Sequence, residues 1–236
     1  MVLCGGRDEA MTSPEERRFA AHDLFLDLDG TLVDSSAGIL DTLARVMKAQ
    51  DVTPRRAVTR AQIGPPLRGL VQHALGEAPD SALLASLESA FREVYDREGY
   101  LQTQAYFGAT DALAALHGSG VALHIVTNKR LAPTELILKM LGWTTFFSSI
   151  RTLDSTAGAA TKADVLRELL TSVPSRVPPE LSVRWFVGDT ADDWSAAQAN
   201  KIEFAWASWG YGLKDTLPVA AVHTLGSPKD LLRFMR

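Results

Sequence analysis

The run Phe25-Leu26-Asp27-Leu28-Asp29-Gly30-Thr31-Leu32-Val33-Asp34 constrains this chain more than any other stretch. Two carboxylates stand two residues apart at the end of an apolar segment, and a Gly and a Thr follow at once. Residues i and i+2 of an extended strand point to the same side. Asp27 and Asp29 can therefore reach into one small space at a strand's carboxyl end. Two crowded carboxylates repel, and such a pair calls for a cation or a shared proton. That is the arrangement of a magnesium-assisted site with one nucleophile and one acid/base. The competing reading is a polar strand exit with a Gly turn, which loops often supply.

From residue 106 to the end, strand-like and helix-like segments alternate. Residues 121–126, 183–187, 202–206 and 220–225 read as strands. Residues 133–141, 162–170, 191–199 and 228–236 read as helices, with Gly142 and Asn200 as left-handed stops. Such alternation implies an α/β fold, a doubly wound (Rossmann-like) parallel sheet covered on both faces. Residues 37–105 differ. Three amphipathic helical patterns follow one another there, built on Ile39 to Met47, Leu67 to Leu75 and Leu83 to Tyr95, with no strand among them. The expected organisation is a flexible tail over 1–20, a core of 21–36 and 106–236, and an inserted all-α cap over 37–105. An insert beside a catalytic loop is a natural lid. The first residues lack a signal-peptide pattern, and Met11 is an alternative start.

Composition narrows the class. The formal net charge is −4, and Arg55, Arg56 and Arg60 are too few to make a nucleic-acid footprint. No run of 18 apolar residues exists, so no membrane span is expected. The single Cys4 excludes an internal disulfide and suits a reducing compartment, so the expected location is cytoplasmic. Neither monomer nor homodimer is favoured.

Three further pieces fall where strands of a parallel sheet should end. Thr127, before Asn128 and Lys129, offers a hydroxyl and a turn whose N–H groups suit phosphate oxygens; an ordinary Thr/Asn turn fits as well. Asp189 closes Phe186-Val187-Gly188 and suits a hard, oxygen-seeking cation. Asp193 lies one helical turn on, facing the same way, although acids are common in a first helical turn. Asp192 reads as a solvated helix residue. Lys162 opens a helix, against the dipole, which suggests an anionic partner; a plain surface lysine is the alternative.

In this order, Asp27-Leu28-Asp29-Gly30-Thr31, Thr127, Lys162 and Gly188-Asp189-Thr190 with Asp193 resemble the four motifs of the haloacid dehalogenase-like hydrolase superfamily, across roughly residues 22–214. The helical insert resembles that superfamily's C1 cap. Thr127-Asn128-Lys129, Gly64-Pro65-Pro66-Leu67 and Trp209-Gly210-Tyr211-Gly212 are similar to the phosphoglycolate phosphatase group. The third motif departs from the common pattern, because Ala163 rather than Pro follows Lys162; Lys129 is therefore a second candidate for the phosphate-site lysine.

The resemblance implies a Mg²⁺-dependent phosphatase acting on a small phosphorylated metabolite, with phosphoglycolate the first candidate. Asp27 would form an aspartyl-phosphate, and Asp29 would serve as acid and then base. Mg²⁺ would be held by Asp27, the Asp29 backbone carbonyl and Asp189, with Asp193, Thr31 and Gly30 supporting. Thr127, Asn128 and Lys162 would bind phosphate, and Arg68 a second anionic group. An Asp at position 29 favours phosphoester over halide chemistry, since an alkoxide needs a proton and a halide does not. A hexose-phosphate type phosphomutase and a catalytically weak binding or regulatory module are the alternatives.

Overall fold

In the computed structural model, which describes residues 19, 21–76, 80–173, 182–212 and 223–235, the Asp27 segment begins as strand β1 (Asp23–Leu26), buried along its whole length. Strands β4 (Ala122–Thr127) and β6 (Arg184–Gly188) flank it in parallel, with Leu26 level with Ile125 on one side and Val187 on the other. With β5 (Phe147–Thr152), β7 (Glu203–Ala207) and β8 (His223–Leu225) the sheet has the order β5-β4-β1-β6-β7-β8. The chain builds outward from β1 first to one side and then to the other. The carboxyl ends of β1, β4 and β6 thus surround a switch point, where sheets of this kind bind their ligands.

Alternation along the strands makes two cores. Leu24, Leu26, Leu123, Ile125 and Val187 pack with α4 (Ala109–Gly118), α5 (Leu131–Met140) and a C-terminal 3₁₀ helix, Pro228–Phe234. Phe25, Val126, Phe186 and Phe204 pack on the other face against α6 (Lys162–Ser172) and α7 (Ala191–Ala199). A third core joins α1 (Ser36–Ala49), α2 (Leu67–Leu75) and α3 (Ser81–Arg97) through Leu43, Met47, Val71, Leu87 and Phe91.

Several expectations need correction. The helical insert is tied down by a short antiparallel ribbon, β2 (Val33–Asp34) with β3 (Gln104–Ala105), the latter within residues 37–105, where no strand was expected. The chain crosses between the two units there in opposite directions, and pairing satisfies the backbone of both crossings. Asn200 is not left-handed (φ −104); Lys201 is, at φ 56. The Asn200 amide instead donates to the carbonyls of Ala196 (2.8 Å) and Ala163 (3.0 Å), capping α7 from its side chain. The expected tail lies outside the described residues apart from Phe19. That residue packs on Trp185 (4.7 Å between ring centroids) and Phe234 (5.0 Å). Residues 220–222 of the last expected strand also lie outside the described set.

At the end of the sheet away from the site, a polar line crosses four strands. Arg184 Nε donates to Asp23 Oδ2 at 3.2 Å, His124 Nε2 stands 3.5 Å from Asp23 Oδ1, and His124 Nδ1 meets Ser149 Oγ at 2.7 Å. Burial raises the Asp23 carboxyl, but His124 and Arg184 outweigh it and hold it below the ordinary 3.8. A depressed carboxyl contributes stability above its unfolded value and loses it as pH falls through the folded one. Asp23→Ala is expected to cost about 1–3 kcal/mol at pH 7 in urea unfolding, from the polar partners left buried. The deficit should shrink below about pH 4; one that stays constant with pH would point to packing alone.

Candidate active site

Asp27 directly follows β1, and its N–H still donates to the Val187 carbonyl at 2.9 Å. The chain then folds back tightly, with the N–H groups of Leu32 and Val33 on the Leu28 carbonyl. Gly30 sits inside that turn at φ 93, and a Cβ there would collide with the Asp189 carboxylate. Only glycine satisfies both the dihedral and the contact.

Asp27, Asp189 and Asp193 are buried and bring one carboxylate oxygen each within 4.8 Å of one another. The Lys162 ammonium lies among them, 2.9 Å from Asp27 Oδ1 and 2.5 Å from Asp193 Oδ1. The sequence delivers this lysine through a capping box, Thr161 with Asp164, that fixes the first turn of α6. A second box, Thr190 with Asp193, fixes α7 and takes up Asp193 Oδ2. Asp189 receives Thr31 Oγ1 on Oδ1 (3.1 Å) and the Tyr211 N–H on Oδ2 (2.7 Å).

The electrostatics follow from this crowding. Burial opposes the charge of Lys162, but Asp193 and Asp27 outweigh burial, so its ammonium is held more firmly than usual. Burial raises Asp27 well above the carboxylate range, and the charges of Asp193 and Asp189 add to it against the pull of Lys162. Asp189 is pushed up to about 7 by burial and then by Asp193. Three carboxylates thus face one ammonium. An all-oxygen donor set with two negative charges in excess fits a hard divalent cation such as Mg²⁺.

Asp29 stands apart from this cluster. Its carboxylate takes Lys129 Nζ at 2.9 and 3.2 Å and Ser35 Oγ at 2.6 Å. Any metal role for Asp29 therefore falls to its backbone carbonyl. Lys129 also donates to Tyr95 Oη of α3 at 2.9 Å and lies over that ring. The two candidate lysines are thereby separated: Lys162 serves Asp27, and Lys129 serves Asp29.

Thr127, at the end of β4, is buried and lines a cavity of about 590 Å³ together with Asp27 and Asp29. Two expected substrate ligands are otherwise engaged. Asn128 donates to the Gly64 carbonyl (2.9 Å) and to Asp192 Oδ2 (2.7 Å), clasping the loop before α2 to α7. Asp192 is thus exposed but partnered rather than merely solvated. Arg68 is paired to Glu88 Oε2 at 3.0 Å. Sequence reasoning missed Tyr95, Ser35 and Tyr211, whose hydroxyl accepts the Ser35 N–H and donates to Asp34. Tyr95 carries no signal, being one more member of the buried α3 stripe. The Trp-Gly-Tyr-Gly run was the available pointer to Tyr211.

Residues 24–207 match the haloacid dehalogenase-like hydrolase family, and the chain belongs to it. Tyrosine-protein kinase PtkA of Mycobacterium tuberculosis is 29% identical over 194 residues, covering 81% of this chain; the chain spans 64% of that relative's length. The phosphoglycolate phosphatase of Rhodospirillum rubrum is 29% identical over 211 residues, covering 86% of this chain and 84% of that one. Among solved structures, a haloacid dehalogenase-like family hydrolase from Streptococcus pneumoniae superimposes with a TM-score of 0.78 at 28% identity, covering 92% of this chain and 99% of the other. Among the described residues no helix is long and apolar enough to cross a membrane.

Proposed function

We propose that this protein hydrolyses phosphate monoesters through a covalent phosphate on Asp27. One observation carries the reading. Asp27 Oδ1 is held by Lys162, while Oδ2 takes no hydrogen bond from the described residues in a carboxylate that lines the cavity. Attack of Oδ2 on phosphorus breaks the ester P–O bond. Asp29, held at the same cavity, gives its proton to the departing alkoxide. It then takes a proton from water, whose oxygen attacks phosphorus, breaks the Asp27 ester and releases inorganic phosphate. The Thr127 hydroxyl donates to a phosphate oxygen, and Lys162 offsets the charge on Asp27 as a dianion approaches. Mg²⁺ held by Asp27 and Asp189 would supply Lewis-acid neutralisation of the transferring group.

The test is phosphate release from small esters, 2-phosphoglycolate among them, with Mg²⁺ and with EDTA. Chelation is expected to abolish turnover, and added Mg²⁺ to restore it. Undiminished release in EDTA would remove the metal from the scheme. Phosphoryl transfer to tyrosine is a second reading, favoured by the similarity to PtkA. Incubation with ATP and a tyrosine peptide separates the two, because transfer leaves phosphate on the peptide and hydrolysis leaves it in solution.

Lys129 gives a further expectation. Lys129→Met releases Asp29, so kcat/KM for an alkyl phosphate, which reads the steps through departure of the alcohol, should fall about 10-fold or more, the worth of a charged hydrogen bond. For p-nitrophenyl phosphate, whose leaving group needs no proton, the fall in kcat/KM should be small. Equal losses on both esters would deny Lys129 a role through Asp29.

A further inference from the structure

The cavity above Asp27 is a poor match for a substrate carrying a second charge. Its cap-side wall is apolar: Ile39 of α1, Ile63 and Pro66 of the following loop, Leu67 and Leu70 of α2, and Phe91 of α3. Its cationic lining side chains already have carboxylate partners. Arg68 pairs with Glu88 Oε2 at 3.0 Å, and Arg92 stands 3.9 Å from Glu88 Oε1. Arg130 grips both oxygens of Asp96, at 2.5 and 2.7 Å, and Lys129 holds Asp29. The one remaining lining acid, Asp154, takes the Leu131 N–H and the Thr152 hydroxyl. Among the described lining residues, therefore, each cation already faces a carboxylate, with Arg68 and Arg92 sharing that of Glu88. Seating a substrate carboxylate would mean desolvating it against apolar side chains or breaking an existing pair. The volume, about 590 Å³, also lies in the range of roughly 300–1,000 Å³ that houses drug-sized ligands, well beyond a two-carbon acid.

We propose that the preferred substrate is the phosphate monoester of a neutral, hydrophobic alcohol of aryl-alkyl size, with its apolar body against the Ile39–Leu67–Phe91 wall. This rests on the hydrolase reading given above. The phosphate goes to the Asp27–Thr127–Lys162 end, and the carbon framework replaces water along the cap. Because Glu88 holds Arg68 at 3.0 Å and brings its own negative charge to this wall, it is the residue that disfavours an acid at this position.

The experiment measures kcat/KM of the full chain with Mg²⁺ on benzyl phosphate, ethyl phosphate and 2-phosphoglycolate. All three leaving groups are unactivated alcohols, so intrinsic reactivity does not decide the order. Benzyl against ethyl reads apolar size, and ethyl against glycolate reads charge at equal length. Benzyl phosphate is expected to exceed ethyl phosphate by about 10-fold or more, and ethyl phosphate to exceed 2-phosphoglycolate. Glu88→Gln, which removes the carboxylate that Arg68 and Arg92 share, should raise the ratio of 2-phosphoglycolate to ethyl phosphate by about 10-fold. A wild-type preference for 2-phosphoglycolate over both neutral esters overturns this inference and leaves the hydrolase reading standing. Release from none of the three sinks the hydrolase reading, and this inference with it.

Discussion

Asp27→Asn is expected to lower turnover by at least about 10⁴-fold, the scale on which loss of a nucleophile is felt, while the protein stays folded. An amide oxygen cannot attack phosphorus to leave a stable ester, and no other carboxylate is free to replace it. Asp189 is held by Thr31 and the Tyr211 N–H, Asp193 by its own cap and Lys162, and Asp29 by Lys129 and Ser35. Rapid quenching of a phosphorus-labelled ester should trap label on the wild type and none on the variant. Stability should not suffer. Burial and then the neighbouring acids raise the Asp27 carboxyl, so its ionised form costs stability at neutral pH. The neutral amide removes that cost, and Lys162 keeps Asp193 as partner. An unchanged or higher Tm with turnover gone is the expected pair of results. Label on the variant would move the nucleophile elsewhere.

Three parts of the site that were readable in sequence share one property: each is a polar residue at the edge of an apolar run. Asp27 follows Phe25-Leu26, Thr127 follows Ile125-Val126, and Asp189 follows Phe186-Val187-Gly188. A parallel sheet brings such strand ends together, so position along the chain becomes position in space. What escaped depends on partners distant in sequence. Arg68 looked available because Glu88 lies 20 residues on, in another helix. Lys129 and Lys162 could not be told apart, because the reach of a lysine depends on which helix or loop carries it. The same contrast holds for the fold. The central strands β1, β4 and β6 are mostly apolar, each carrying one member of the Arg184–Asp23–His124 line. Edge strand β5, Phe-Ser-Ser-Ile-Arg-Thr, is only part-buried and shows little pattern. The β2–β3 ribbon, two residues a side, is too short to show any periodicity.

Lys162→Met tests the counter-charge directly, and its effect should appear in stability as well as rate. The wild type sets one ammonium among three buried carboxylates. Without it, and with metal chelated, Asp27 and Asp193 face each other uncompensated. Removing one partner of a buried ion pair costs about 3–5 kcal/mol, which for a chain of this size lowers Tm on the order of 10 °C. The loss should depend on pH. Asp189 titrates at about 7 in the folded protein, pushed there by burial and Asp193. A carboxyl raised above its unfolded value binds more protons folded than unfolded, so stability falls as pH climbs from about 4 to 7. Loss of Lys162 steepens that fall, since its charge lowers Asp27 and Asp189, both already raised, and without it they rise further. The variant should therefore lie closest to wild type near pH 5 and furthest from it at pH 8. Thermal unfolding at the two pH values in EDTA reads this difference. A deficit of equal size at both would assign Lys162 a packing role rather than an electrostatic one. Added Mg²⁺ should narrow the gap at pH 8, because a divalent cation supplies the charge that the methionine lacks.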